Sequence, residues 1–281
     1  MQHIYLSPHL DDALYSCGGL ICQQRKAGEP VTVLNLCAGI PDYANISDFA
    51  RSYHQRWGDL SNMVEARRAE DEQTLTALGV KVVYLDTLDS IYRTVGGQPA
   101  YPDLTALFSS PQPDDASRLP QYWAQQALNL LPANQPARCY APLAIGGHVD
   151  HYLARLAGME LAKSVPEVWF YEDFPHAEDP ITLDKVRAEL GLDQWRSRTV
   201  IIDVQAKINA MLGYGTQTQK IFGTEAGLKQ RVRDFTADRA RNIQWQEKLR
   251  YTLAGSGGRR ERTWRKLFGY HAHAERYWSQ R

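Results

Sequence analysis

Six consecutive residues, Ser7-Pro8-His9-Leu10-Asp11-Asp12, put an imidazole and two carboxylates within four positions of one another. All three side chains can bind a metal or move a proton. Aspartate is a common helix N-cap, and one cap accounts for one carboxylate. It gives no reason for the second carboxylate or for the histidine. Two adjacent carboxylates beside a histidine are costly to hold together unless a cation or a proton sits among them. A second group of the same kind, Gly146-Gly147-His148-Val149-Asp150-His151, lies far along the chain. Its two histidines flank an aspartate, so one can ligate a metal while the carboxylate polarises the other. Alone, such a group is a weak signal, because surface histidines are common. Two of them, each at a strand-to-helix junction, are much harder to obtain by chance.

The elements that must hold these groups are legible as an alternation. Short runs rich in β-branched and aromatic residues read as buried strands at 3–7, 31–38, 80–85, 137–143, 167–172 and 198–204. Between them, helical stretches are expected at 12–27, 61–78, 119–131, 149–164 and 182–190. Two of these end before a glycine, Gly28 and Gly79, as helix C-termini often do. Such alternation implies βαβ units, a mostly parallel sheet and helices on both faces: an α/β, Rossmann-like three-layer fold with a helical C-terminal portion. Both polar groups then follow a strand and open a helix, at the sheet edge where open α/β folds bind ligands. Residues 39–57 and 93–118, rich in Pro, Asp, Ser and Gly, read as long loops at that edge. The expected division is an α/β core over 1–204 and a mainly helical extension over 205–281 packed on the same domain, interrupted by a turn at 255–258.

Composition excludes several functions. The 32 basic and 32 acidic side chains cancel, so no net field recruits nucleic acid or an acidic membrane. The basic run Arg259, Arg260, Arg262, Arg265 and Lys266 reads as a solvated surface. Cys17, Cys22, Cys37 and Cys139 form no CxxC pair, which argues against a zinc ribbon or a disulfide framework. There is no basic, apolar leader at the first residues and no membrane-length apolar run, so a cytoplasmic protein is expected. No GxGxxG or GxxxxGK[ST] segment supports nucleotide binding. Gly18 and Gly19 read as close helix–sheet packing.

The segment PHLDDALYSCGG at 8–19 resembles the PHxDD signature of the LmbE-like, or PIG-L, family of N-deacetylases, and GGHVDHYLA at 146–154 resembles its HxDH signature. EARRAEDEQTLTALGV at 65–80 and YLDTLDSIYR at 84–93 are similar to the family's intervening helix and strand. YAPLAIGGHVDH, FYEDFP and ERYW resemble a bacterial branch. The resemblance is continuous from 3 to about 175. It implies His9, Asp12 and His151 as metal ligands, Asp11 as general base, His148 as the group that stabilises the oxyanion and protonates the leaving amine, and Asp150 as the carboxylate paired with that histidine. It sets Arg67 and Asp89 where relatives contact a sugar. The implied activity is a zinc-dependent hydrolase that removes an N-acetyl group from an N-acetylglucosamine-type amino sugar, through a metal-activated water with Asp11 as base. One zinc per chain is expected, with Fe2+ as another divalent candidate.

The chemistry of the residues agrees. Two histidines and an aspartate leave a position open for water, the pattern of catalytic zinc, and zinc lowers the pKa of its water to roughly 7. Zinc and a protonated His148 would share the oxyanion charge, and Asp150 would favour the imidazolium. Glu172 and Asp173 end a strand at the functional edge and divide evenly between substrate contact and helix capping. Arg93 divides between substrate contact and a surface ion pair. Tyr43, Tyr53, Trp57, Tyr92 and Phe174 could stack on a sugar's apolar face. His54 reads as a surface residue, and His271 and His273 as structural. The partner is a small N-acylated amino sugar or glycoconjugate, without nucleic acid or membrane span, and a homo-oligomer stays open. Two other functions also stay open: an amidase on the same scaffold acting on another N-acyl group or a thiol conjugate, and a non-catalytic metal- and sugar-binding homologue.

Overall fold

A computed structural model describes residues 1–58, 61–132, 135–241 and 272–280 of the chain. The basic run at Arg259 to Lys266, the turn at 255–258, His271 and the side chain of Trp57 lie outside the described residues. The centre is a seven-stranded sheet in the order β3-β2-β1-β6-β7-β9-β8. Its strands are β1 Gln2–Ser7, β2 Val31–Asn35, β3 Lys81–Tyr84, β6 Ala137–Pro142, β7 Val168–Tyr171, β8 Arg196–Ile201 and β9 Ala274–Ser279. The first five run parallel, while β9 is antiparallel to both β7 and β8. The central strands β1 and β2 are buried along almost their whole length because helices cover both faces, and most of their residues are apolar. Ile4, Leu6, Val33 and Leu34 are fully or almost fully buried. Each such side chain stabilises by about 1.5–3 kcal/mol, more than the ~0–1 kcal/mol of a surface ion pair. The strand order, rather than surface charge, therefore decides where the connecting loops emerge.

From β1 the chain goes to β2 on one side, and it later returns through β6 on the other. That is a topological switch point, and the loops leaving β1 and β6 face each other across a crevice. The helices α1 Asp12–Lys26 and α6 Val149–Leu161 begin there. Around them pack α3 Met63–Ala77, α5 Pro113–Asn129, α7 Pro180–Leu190, α8 Val204–Met211, α9 Gly215–Phe222 and α10 Glu225–Ala240. No helix among the described residues is long and apolar enough to cross a membrane.

Two regions expected as loops contain ordered elements. Residues 39–57 form a helix, α2 Asp48–Trp57, opened by the Ser47 side chain accepting from Ala50 N–H and closed by Gly58 in the left-handed region. Residues 93–118 hold a short hairpin, β4 Thr94–Val95 with β5 Gln98–Pro99, a turn of helix, α4 Leu104–Leu107, and the start of α5 with proline at its first position. Their polar composition hid short elements whose caps, not their apolar faces, define them.

A buried ion pair ties the C-terminal strand to the first helix. Lys207 of α8 and Glu275 of β9 meet at 2.7 Å, both excluded from solvent. Glu275 also accepts from Gly19 N–H and Leu20 N–H, and Lys207 Nζ donates to the Ser16 carbonyl. The pair thus contacts both Ser16 O and Leu20 N, two groups one turn apart in α1. Gly19 sits against Ile202 so closely that a Cβ there would lie 2.5 Å from its side chain. The expected packing role of Gly19 holds for that reason. Removing one member of a buried pair costs about 3–5 kcal/mol, and more than that when other donors are orphaned too. Glu275→Ala should therefore lower the free energy of unfolding more than Lys207→Met does. The double variant should lose less than the sum of the two. Urea denaturation checks this, and single losses below ~0.5 kcal/mol would refute the coupling.

Candidate functional site

The turn after β1 is held by Ser7, whose hydroxyl donates to the His9 carbonyl at 2.7 Å and accepts from Ala13 N–H at 3.0 Å. Asp11 occupies the N-cap position of α1 but makes no side-chain cap bond. Ser7 satisfies the helix end instead and leaves the Asp11 carboxylate free for other work. Asp12, one residue on, accepts from His9 N–H at 2.8 Å and stands 3.1 Å from His9 Nδ1. The turn after β6 is tight, with Ala144, Gly146 and Gly147 all at positive φ. A Cβ on Gly146 would lie 2.7 Å from the His176 ring, so only glycine lets the chain pass. It delivers His148 to the N-cap of α6, where its Nδ1 accepts from Asp150 N–H at 3.2 Å.

Across the crevice the two groups interlock. His151 Nε2 lies 3.2 Å from the same Asp12 oxygen that meets His9. The ligand atoms of His9, Asp12 and His151 fall within 4.8 Å of one another. His9, His148 and Asp150 form a second such group. Asp150, however, is already engaged by the Arg93 guanidinium and by Ser90 N–H. The donor chemistry therefore favours the set centred on Asp12. Behind it, His151 Nδ1 is 2.7 Å from Asp173, whose other oxygen accepts from Ile145 N–H. This carboxylate fixes the ring and its tautomer, as is usual behind a metal-binding histidine. Asp173 thus acts through His151 and not as a helix cap.

The electrostatics follow from burial and neighbours. Burial opposes charge on His9, but Asp89, Asp12 and Asp150 outweigh it and hold its pKa well above the ordinary value. His151 is likewise opposed by burial yet raised to about 10, by Asp12 and Asp173. Burial also works against the Asp12 carboxylate, but His151 and His9 keep it well below the usual range. Burial and the charge of Asp12 push Asp11 up to about 7, against the pull of Arg67, whose Nη2 is 3.7 Å away. Burial, followed by the nearby His9, holds His148 well below its ordinary value. The Asp150 carboxylate lies within 4.8 Å of a His148 ring nitrogen and also engages Arg93 and His9 Nε2, at 3.1 Å from the latter. Burial and His9 thus weigh against the imidazolium form of His148, while Asp150 and Asp12 favour it.

Arg67 and Asp89 line a cleft of about 270 Å³ together with His9, Asp11, Asp12, His148 and His151. Tyr53 and Tyr92 line it as well. Tyr43 bonds Glu65, and Phe174 is packed in the core against Phe222 and Phe235. Arg93 is buried between Asp150 and Asp115 and borders a separate groove, so it makes an ion pair, but not at the surface. Glu172 is buried against Arg239, Arg276 and Trp278, away from the cleft, where it ties α10 and β9 to β7. His54, expected at the surface, is buried and bonds the Tyr92 hydroxyl at 2.7 Å. His273 Nδ1 bonds Thr236, in keeping with a structural role. His176 and Gln217 also line the cleft, and sequence reasoning missed both. The apolar side chains Met63, Val64, Ile91 and Leu107 form another wall of it.

Comparison with known proteins places this geometry. The family model described as PIG-L, GlcNAc-PI de-N-acetylase, matches residues 4–162. The 2'-N-acetylparomamine deacetylase of Niallia circulans is 31% identical over 242 residues, covering 80% of this chain and 84% of that protein. The 2'-N-acetylparomamine deacetylase of Streptomyces fradiae is 29% identical, with 76% and 73% covered. The zinc-inhibited form of the teicoplanin deacetylase Orf2 superposes with a TM-score of 0.74 at 22% identity, covering 99% of this chain and 97% of that one. That likeness bears on the fold.

A divalent metal needs neutral imidazoles, whereas the surrounding carboxylates raise the pKa of both His9 and His151. Metal binding at pH 7 should therefore release protons, up to one from each ring, and apparent affinity should rise with pH. Calorimetric zinc titration in buffers of different ionisation enthalpy measures this. Zinc binding without proton release would mean that these two rings are not the ligands.

Proposed function

The chain belongs to the PIG-L family, and on that premise we propose that it is a zinc-dependent hydrolase that removes an N-acetyl group from an amino sugar of the N-acetylglucosamine type. The observation that carries this reading is the convergence of His9, Asp12 and His151 on one point, next in sequence to the Asp11 carboxylate, which makes no cap bond and faces Arg67. The activity named for the two curated relatives, removal of acetyl from an N-acetylated aminoglycoside, supports the substrate class.

His9, Asp12 and His151 would hold zinc, or another divalent metal such as Fe2+, with Asp173 orienting His151. Bound there, the metal supplies a Lewis acid and lowers the pKa of water. Asp11 takes a proton from the attacking water, and Arg67 keeps its charged form accessible. His148 Nδ1 accepts from Asp150 N–H, which leaves Nε2–H as the donor of the neutral ring. That N–H is suited to the oxyanion that develops on the amide carbonyl. Because burial and His9 weigh against a charged His148, Asp11 also returns the proton to the departing amine. Asp150, paired with Arg93, fixes His9. Arg67 and Asp89 offer a donor and an acceptor to sugar hydroxyls, and Tyr53 and Tyr92 offer faces to the ring. The apolar wall of Met63, Val64, Ile91 and Leu107 favours one second reading, an amidase for a longer acyl group.

The adjacent aspartates should separate by role. Asp11→Asn should keep its metal and lose about a hundredfold or more in kcat, whereas Asp12→Asn should lose the metal itself. Elemental analysis beside turnover checks the division, and identical behaviour of the two variants would refute it. Sugar contacts remote from the amide should appear in the rate. An N-acetylglucosamine glycoside should therefore be deacetylated with a higher kcat/KM than an N-acetylated alkylamine. Equal values would remove the sugar assignment, and faster release of a long acyl chain than of acetate would favour the second reading.

A further inference from the structure

One residue that lines the cleft comes from α9, beyond the 4–162 span that matches the family model. Three contacts clamp α9 to α3. Asp71 of α3 accepts from the Tyr214 hydroxyl at 2.6 Å, and also from Asn35 and Tyr84, so its buried carboxylate is fully engaged. Glu70 accepts from Thr216 N–H at 3.0 Å and from the Thr216 hydroxyl at 2.6 Å. Gly213 passes the Thr74 side chain so closely that a Cβ would stand 2.5 Å from it. Glu70 and Asp71 lie one helical turn beyond Arg67 on α3. The clamp therefore sets the start of α9 at a fixed offset from a residue already placed in the cleft.

The residue that this geometry delivers is Gln217. It lines the cleft, it is 1% exposed, and its Oε1 has no hydrogen-bond partner among the described residues. Its Nε2 makes only a long contact to the Thr216 hydroxyl at 3.4 Å. A buried amide oxygen left unpaired costs about 1–3 kcal/mol, and a methionine of similar length would fill the same space without that cost. The amide is explained if a ligand supplies the donor.

We infer that Gln217 is a specificity-determining residue whose Oε1 accepts a hydrogen bond from a hydroxyl or ammonium group of the sugar, at a position remote from the acetamide. The inference rests on the amino-sugar reading and deepens it: the family span supplies the chemistry at the amide, and α9 reads the rest of the ligand. Among the described residues Gln217 makes no hydrogen bond to His9, Asp12, His151 or Asp11, so its loss should spare the reaction itself.

The test compares Gln217→Met, which keeps length and removes the acceptor, with Gln217→Glu, which keeps an acceptor and adds charge. Each is assayed on an N-acetylglucosamine methyl glycoside, on an N-acetylated aminoglycoside, and on an N-acetylated alkylamine. A single hydrogen bond of about 0.5–1.5 kcal/mol corresponds to a roughly two- to twelvefold change. Gln217→Met should lose that much in kcat/KM on both sugars and stay within about twofold of the parent on the alkylamine. Gln217→Glu should recover the loss, and most on the aminoglycoside if the donor is an ammonium. No loss on the sugars, or an equal loss on all three substrates, overturns the inference. If the methionine variant does not fold, Gln217→Asn, which withdraws the amide by one methylene, carries the same comparison. Calorimetric binding of the methyl glycoside runs beside turnover. A parent that binds the sugar without releasing acetate refutes the hydrolase reading, and Gln217 is then judged on Kd. A parent that neither binds nor cleaves the sugar overturns both.

Discussion

One carboxylate oxygen meets two imidazoles that arrive on segments about 140 residues apart. Asp12 and His9 come from the turn after β1, and His151 comes from the first turn of α6. Those segments can meet because β1 and β6 are neighbours in the sheet and run parallel, so their C-terminal ends open at the same edge. Everything else in the site is arranged around that meeting. Ser7 caps α1 so that Asp11 need not, Asp173 steadies His151 from behind, and Arg93 neutralises Asp150. Without the adjacency of β1 and β6, these would be two unrelated helix ends.

The charges in the crevice explain one another. Asp12, Asp89 and Asp150 surround His9, and Asp12 and Asp173 flank His151, so both rings are favoured in the charged form. At His148 burial and the neighbouring His9 outweigh Asp150 and Asp12 and hold its pKa well below the ordinary value. His9 and His151 are thus shifted up and His148 down within one cleft, because carboxylates dominate at the first two and burial at the third. A donor that must hydrogen-bond developing charge and ligands that must accept a cation need that difference.

The parallel strands, their helices and the two polar junctions were legible in the sequence because each is a local pattern, an apolar run followed by a short polar turn. The His9, Asp11, Asp12 and His148, Asp150, His151 groups announce themselves by spacing alone. What was not legible depends on partners far away. Arg93 and Glu172 look like surface or substrate-facing charges until Asp150, Arg239 and Arg276 are brought to them. His54 looks exposed in a polar stretch, yet α2 folds it against Tyr92. ERYW at 275–278 carried a resemblance but no sign that it would enter the sheet antiparallel between β7 and β8. Gln217 sits in a helix whose sequence has no chemical spacing, and only the clamp on α3 brings it to the cleft.

The insertion of β9 has a consequence for how the molecule is made. Among the described residues β8 joins the sheet only through β9, and β7 pairs with β9 on that side. While the chain is emerging from a ribosome, β7 has an unpaired edge, and β8 has no neighbour, until residues 274–279 arrive. Such edges are templates for association with other chains, and closing a contact across so long a stretch of chain is intrinsically slow. The interval between synthesis of β7 and arrival of β9 is therefore the period in which this protein is most exposed to aggregation and most dependent on chaperones that cover β-strand edges.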